Sequence, residues 1–222
     1  MFTQTHLLIG AAMFARPRAQ AATMAGSAGA VIPDSDVWLM FAVERLSGST
    51  GCEVFRYRYW QEPWTTLQSV LNSIPLYVGM LVFALLGGLA APVGTGKTFQ
   101  ITAIFALSSL LHVTADFLLH HDDARAQLLP STDWVFRSPV SYWDPNHHGQ
   151  VFAVFEIGLA IGLIGFVGFR YARRSVWIVL CITMLCYSGS VAATFIELAD
   201  HERGPGSCEA SASIEKQHDH RA

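Results

Sequence analysis

The 222-residue chain has few charged residues, which make up only 14% of the sequence, whereas an ordinary soluble domain carries roughly 25%. So small a charged fraction cannot cover a water-soluble globule, and it excludes a disordered chain and a typical cytosolic enzyme. Basic residues are not in excess either, since the net charge is −3 with neutral histidine. The chain therefore has no basic field that would collect nucleic acid, and no nucleic-acid partner is expected.

Cysteine is scarce as well, with four residues in the whole chain. Their spacing fits neither a disulfide framework nor the paired Cys-x-x-Cys of a zinc knuckle. Apolar residues, by contrast, make up 52% of the sequence and are concentrated in long runs. This combination is typical of a membrane protein, whose first partner is the lipid bilayer.

Four apolar stretches are long enough to cross a bilayer, which takes about 20 residues of helix. We predict spans over residues 69–91, 99–119, 151–169 and 176–198. The third span also has small residues at a spacing that lets helices approach closely in lipid: Gly158, Gly162, Gly165 and Gly168. The expected fold class is all-α, a polytopic membrane bundle forming one domain over residues 1–203, with a disordered tail over residues 204–222.

Two apolar stretches near the N-terminus, residues 6–15 and 37–46, are too short to span. We interpret them as interfacial or re-entrant helices. A cleavable signal peptide is the alternative for the first, although no Lys or Arg precedes its apolar run. Four spans place the N-terminal region, the tail and the link of residues 120–150 on one side of the membrane. The two short loops on the other side are predicted to be cytoplasmic, because they contain these cations: Lys97, Arg170, Arg173 and Arg174.

Residues 91–98, Ala-Pro-Val-Gly-Thr-Gly-Lys-Thr, match the loose pattern of a phosphate-binding loop. Such a loop follows a buried strand and opens a soluble helix, whereas this segment lies between two predicted spans. We therefore interpret it as a tight turn with Lys97 at the membrane edge.

The strongest signal is a row of titratable residues along the second span. His112, Asp116 and His120 are four residues apart, so they project from one face of a helix. Imidazole nitrogens and carboxylate oxygens are the usual ligands of catalytic zinc, and ionisable groups at membrane depth are normally paired or kept for function. We predict a divalent-metal site here, with zinc as the favoured ion. The alternative is that His112 and Asp116 only hydrogen-bond each other inside the bundle.

The link of residues 120–150 adds histidines at both of its ends. His121 directly follows the row on the second span, and His147 and His148 precede the third span. We predict these three residues as further metal ligands, or as groups that orient the ligands. For His147 and His148, a wet turn at the membrane surface among aromatic residues is an equally good interpretation.

Two more candidates lie far upstream, at His6 and in the segment Pro33-Asp34-Ser35-Asp36. Closely spaced carboxylates after a proline-fixed turn can bind metal or accept a proton from bound water. We predict Asp36 as a catalytic proton acceptor and His120 as a second catalytic group. The alternative for Asp34 or Asp36 is a helix N-cap, since the stretch that follows has a helical pattern.

The order of these motifs resembles a known family. His6, the Pro-Asp-x-Asp of residues 33–36, His112-x-x-x-Asp116 and the Leu-Leu-Pro-Ser-Thr-Asp-Trp of residues 128–134 are similar to the bacterial inner-membrane metal-dependent hydrolases of the LexA-regulated type. That family is placed distantly with zinc phospholipases C and single-strand zinc nucleases. The resemblance covers about residues 1–170, and the longer link resembles a subgroup in which some members carry a cobalamin-biosynthesis name.

The resemblance implies a membrane-bound hydrolase that acts on a phosphoester or lipid-like ester in the bacterial inner membrane. It also implies a set of metal ligands: His6, Asp34, His112 and Asp116. One departure is that the family usually has His-Arg-Gly and then Thr-His-Ser before its second long helix, whereas here Leu71-Asn72-Ser73 takes that position.

A non-enzymatic metal-binding or ion-transport protein is the alternative function. In that case Glu156 and Glu197, which lie within predicted spans, and His201 would line an ion path together with His112.

Overall fold

The computed structural model describes residues 1–202 except positions 17, 93 and 172, without the side chains of Ser175 and of residues 190–202. The predicted tail, residues 204–222, lies outside the described residues. The described part of the chain contains helices and no strands, which confirms the all-α part of the expected fold class. Its α-helices are α1 (Thr3–Phe14), α2 (Gln20–Val31), α3 (Ser35–Leu46), α4 (Gly51–Arg56), α5 (Trp64–Leu71), α6 (Ile74–Ala90), α7 (Gly96–Leu119), α8 (Gly149–Tyr171) and α9 (Arg174–Glu202).

Three segments are long and apolar enough to cross a membrane: Trp64–Ala90, which combines α5 and α6, then α7 and α8. They correspond to the first three predicted spans and are what a membrane protein requires. The fourth predicted span falls in α9, whose described apolar part is Val176–Gly189.

The phosphate-loop-like segment is a turn between α6 and α7. Helix α6 precedes it, so the strand that a phosphate-binding loop requires does not lie before it. Gly94 has a φ of 101°, a conformation that favours glycine. The prediction of a tight turn is confirmed.

Helices α1 and α2 form a hairpin that packs within the bundle, with α2 along α7 and α1 against α2 and α8. Small residues permit this packing. A Cβ at Gly29 would lie 2.4 Å from the carbonyl oxygen of Phe105 on α7, and a Cβ at Gly10 would lie 2.6 Å from the Cβ of Ala30. The Gly/Ala-rich stretch before Asp34 is therefore a closely packed helix, which the sequence analysis does not predict. The interfacial or re-entrant character of residues 6–15 and 37–46 stays a prediction.

The turn of this hairpin lies beside the end of α8, because the Tyr171 hydroxyl donates a hydrogen bond to the Ala15 carbonyl. The expectation that the whole N-terminal region shares a side with the link is wrong for this turn. Helix α1 crosses the bundle in one direction and α2 crosses it in the other. The turn between them therefore lies at the end of the bundle that carries the two short loops.

The glycine row on α8 does not pack as predicted. A Cβ at Gly158, Gly162 or Gly165 would meet no described atom within 4 Å. Only Gly168 is in close contact, since its Cβ would lie 2.5 Å from the indole ring of Trp177. For three of the four glycines the prediction of close helix contact is therefore wrong within the described part of the chain.

The link of residues 120–150 is held by hydrogen bonds to helix ends. Ser138 Oγ donates to the Leu118 carbonyl at 2.6 Å, and the Tyr142 amide donates to the Leu119 carbonyl at 3.0 Å. These bonds satisfy carbonyl groups that the end of α7 leaves open. At the start of α6, the Ile74 amide donates to the Gln127 carbonyl at 2.8 Å. The link is thus fixed over the ends of α6 and α7, beside the predicted site.

Candidate metal centre

Four predicted ligands meet inside the bundle, and we call them the buried cluster: His6, Asp34, His112 and Asp116. His6 comes from α1, Asp34 from the turn between α2 and α3, and the other two from successive turns of α7. Ligand atoms of His6, Asp34 and His112 all lie within 4.8 Å of one another. Asp116 joins them, with Oδ1 3.0 Å from His6 Nε2 and Oδ2 3.1 Å from His112 Nε2.

The His112 ring is oriented by the packing of α2 on α7. Its Nδ1 lies 2.8 Å from the Ala30 carbonyl oxygen, which can only accept a hydrogen bond. Nδ1 therefore carries the proton, and in the neutral ring Nε2 presents a lone pair. An outer carbonyl that fixes the tautomer in this way is the usual second partner of a metal-binding histidine.

The His112 Nε2 atom is the observation that fits a metal ion. It is buried without a hydrogen-bond partner, yet it faces two carboxylate oxygens, Asp34 Oδ1 at 3.4 Å and Asp116 Oδ2 at 3.1 Å. Nε2 therefore either holds a proton between the two carboxylates or gives up that proton and binds a cation that the carboxylates share. The donor set of imidazole and carboxylate suits zinc or a similar divalent ion.

His6 and Asp34 have the protonation states that metal binding needs. Burial and the neighbouring His112 ring lower the pKa of His6 to about 4, so its imidazole is neutral at pH 7. Burial raises the pKa of Asp34, but the attraction of His112 outweighs it and the net shift is downward. The ring of His6 stacks on that of His112 with centroids 3.6 Å apart, and Thr3 Oγ1 donates to Asp34 Oδ2 at 2.6 Å.

Further polar groups complete the contacts of the buried carboxylates. The amino group of Met1 lies 3.1 Å from Asp116 Oδ1. Glu156 on α8 is fully buried, and its Oε1 accepts from the Phe2 amide at 2.8 Å while Oε2 has no partner. Glu197 and His201, the other predicted residues of an ion path, lie among those whose side chains are not described.

The predicted catalytic residue Asp36 lies in the same turn as Asp34 and is buried. Its Oδ1 accepts from the Val37 amide at 2.7 Å, and its Oδ2 lies 3.7 Å from Nη1 of Arg125 on the link. Burial raises the pKa of Asp36 despite the attraction of Arg125. Arg125 in turn donates from Nη2 to the Tyr59 hydroxyl at 3.1 Å.

His120, the other predicted catalytic residue, connects the buried cluster to the link. Its Nε2 lies 3.5 Å from Asp116 Oδ1, and its Nδ1 lies 2.8 Å from Asp123 Oδ2. Burial lowers the pKa of His120, but Asp123 and Asp116 outweigh it and raise the pKa overall.

The remaining predicted ligands lie apart from the buried cluster. His147 belongs to a second group, which we call the surface cluster: Asp122, Asp144 and His147. The His121 ring stacks on the His147 ring with centroids 3.5 Å apart. His148 is exposed, has a φ of 65° and is a member of neither group.

Sequence reasoning missed the support that Asn72 gives to the turn of Asp34. Asn72 is fully buried, and its Nδ2 donates to the Pro33 carbonyl at 3.1 Å and to the Gln68 carbonyl at 3.0 Å. It occupies the segment where the resembling family usually has histidines. A polar residue between two apolar helices was the available signal.

Comparisons of the chain with protein-family models, curated proteins and solved structures found no match.

Proposed function

We propose that the chain is a membrane-bound, metal-dependent hydrolase whose buried cluster binds one divalent cation, with zinc as the favoured ion. The substrate class, a phosphoester or lipid-like ester, comes from the resemblance to the LexA-regulated inner-membrane hydrolases. In this proposal α9 is a fourth span and the protein resides in a bacterial inner membrane.

One observation carries the proposal: His112 Nε2 is buried and lies between the carboxylates of Asp34 and Asp116, with His6 beside them. The Ala30 carbonyl, which is not part of the cluster, accepts a hydrogen bond from Nδ1 and so holds the His112 ring in this orientation. Such pre-orientation of a buried ligand is typical of a metal site. In a purely structural ion pair the ring would keep its second proton and donate from both nitrogens, so metal binding at this site would release the Nε2 proton.

His6, Asp34, His112 and Asp116 would hold a divalent ion, which would supply Lewis-acid chemistry and lower the pKa of bound water. Asp36 is buried beside Asp34 and its Oδ2 has no hydrogen-bond partner, and burial raises its pKa above the usual range of a carboxyl group, so it is suited to accept a proton from water. Arg125 faces Asp36, and its positive charge stabilises the ionised form of this buried carboxyl group.

The test compares the purified full chain with two histidine variants in detergent. Zinc content is measured by elemental analysis, and hydrolysis is measured with bis(4-nitrophenyl) phosphate and 4-nitrophenyl butyrate. We expect His112→Gln to lose the buried zinc and to lower activity by more than the roughly 10–100-fold that removal of an outer-shell partner costs. The matched control His148→Gln changes an exposed ring outside the buried cluster and should keep both properties.

Two results would overturn the proposal. The first is a zinc-loaded wild-type chain that hydrolyses neither probe, and the second is unchanged activity in His112→Gln. Zinc flux across proteoliposomes without hydrolysis would support the ion-transport alternative instead.

A further inference from the structure

The two neighbouring histidines at the end of α7 face different groups. His120 contacts Asp116 and Asp123 beside the buried cluster. His121 turns the other way, where its Nδ1 lies 2.5 Å from the Ser138 carbonyl and its ring stacks on His147. The link therefore carries a second set of imidazoles and carboxylates that the proposed hydrolase does not use.

Three ligand atoms of the surface cluster lie within 4.8 Å of one another, one each from Asp122, Asp144 and His147. The closest pair is His147 Nδ1 and Asp144 Oδ2, 2.5 Å apart. Asp144 is buried and held in place, because its Oδ1 accepts from the Asn146 amide at 2.9 Å. Its Oδ2 contacts His147 Nδ1, and an ion bound there would take the place of the proton between these two atoms. Asp122 is half exposed, so the group is open to solvent on one side.

His121 fixes the ring of His147 from behind. Because a carbonyl oxygen only accepts, His121 Nδ1 donates to Ser138 and Nε2 of the neutral ring carries a lone pair. That Nε2 lies 3.7 Å from Asp122 Oδ1. The surface cluster has one imidazole and two carboxylates, and His121 adds a second imidazole beside it, a donor set of the kind that binds zinc.

We propose that the surface cluster is a second divalent-cation site, separate from the buried cluster. Asp122 lies just after α7, whereas Asp144 and His147 lie just before α8. An ion bound by these residues joins the end of one span to the start of the next and fastens the link of residues 120–150 at its two ends. Its role is to hold the link in place.

The experiment measures zinc per chain in the purified full-length protein after dialysis against zinc and removal of the free ion. We expect Asp122→Asn and His147→Gln each to lose one zinc per chain relative to wild type. His148→Gln, one residue further along, should lose none. His112→Gln should keep the surface ion, so failure of the hydrolase proposal and failure of this one give different results.

Trypsin provides a second readout, since Arg137 is exposed on the link next to Ser138. Zinc should slow cleavage after Arg137 in wild type and in His148→Gln, and it should have no effect in Asp122→Asn. The proposal is overturned if Asp122→Asn and His147→Gln retain the same zinc content as His148→Gln. Circular dichroism of each variant shows whether it is folded. A folded Asp122→Asn or His147→Gln variant with the zinc content of wild type counts against the site.

Discussion

The buried cluster and the surface cluster use the same two ligand types in opposite surroundings. The buried cluster draws its residues from α1, α7 and the turn after α2, and every member is at most 8% exposed. The surface cluster draws all its residues from one link and opens to solvent through Asp122. Loss of a partner destabilises a buried charged group by far more than it destabilises an exposed one. The two groups should therefore respond very differently to the same chemical change.

The largest difference should come from deleting one carboxylate in each cluster. Asp116→Ala leaves His6 and His112 buried without their common partner, and we expect it to cost about 3–5 kcal/mol of unfolding free energy. Asp122→Ala removes a half-exposed group and should stay within about 0.5 kcal/mol in metal-free buffer. Thermal unfolding in detergent measures both. Equal shifts of the unfolding temperature in the two variants would show that the difference in burial between the two clusters does not affect stability.

A second prediction concerns the backbone behind the buried cluster. Gly29→Ala would drive a methyl group into the Phe105 carbonyl, which belongs to the backbone and cannot move alone. We expect a cost of about 1–3 kcal/mol from overpacking. The shift should also withdraw the Ala30 carbonyl from His112 and weaken zinc binding at the buried cluster alone.

Gly162→Ala is the matched control, because its methyl group would meet no described atom. It should leave zinc content unchanged and be neutral or stabilising by up to about 1 kcal/mol through helix propensity. Loss of zinc in Gly162→Ala would argue against the helix packing described here.

A third prediction separates general instability from loss of a metal site. Thr50 caps α4 through a reciprocal pair of hydrogen bonds with Glu53, and neither residue belongs to either cluster. Thr50→Ala should cost about 1 kcal/mol and leave both zinc ions in place. If zinc is lost in this variant too, then the zinc content of the other variants reports stability rather than ligation.

The smallest effect on stability should follow mild chelation. Brief exposure of the zinc-loaded chain to EDTA should release the surface ion first, because Asp122 is open to solvent whereas the buried cluster is enclosed. We expect one zinc per chain to leave with little change in unfolding temperature, followed by a slow second release. Zinc release at a single common rate would contradict the distinction between the clusters.

The local part of the candidate site was predictable from sequence. Residues four apart on one helix share a face, so the row of His112 and Asp116 follows from spacing alone, as does the contact of His120 with Asp116. The apolar runs of the first three spans were equally visible, since helix length and hydropathy are local properties.

The long-range part could not be derived in the same way. The convergence of His6 and Asp34 on α7 came from the family resemblance, because spacing carries no information about helices 80 or more residues apart. Glycine spacing was also a poor guide: a Cβ at Gly158, Gly162 or Gly165 on α8 would meet no described atom within 4 Å, whereas Gly29 in an unpredicted helix makes a close contact. Which face of a small-residue helix meets a neighbour depends on the whole bundle.

The contact of Tyr171 with Ala15 bears on how the molecule is inserted. It brings the exposed cations Arg16 and Arg18 to the end of the bundle that already carries a basic group, namely Lys97, Arg170, Arg173 and Arg174. Translocation machinery retains such basic ends in the compartment where the chain is made. In the orientation that we propose, the pole that bears Asp122 and His147 would then meet the metal ions of the extracytoplasmic side, and the turn between α1 and α2 would lie on the cytoplasmic side.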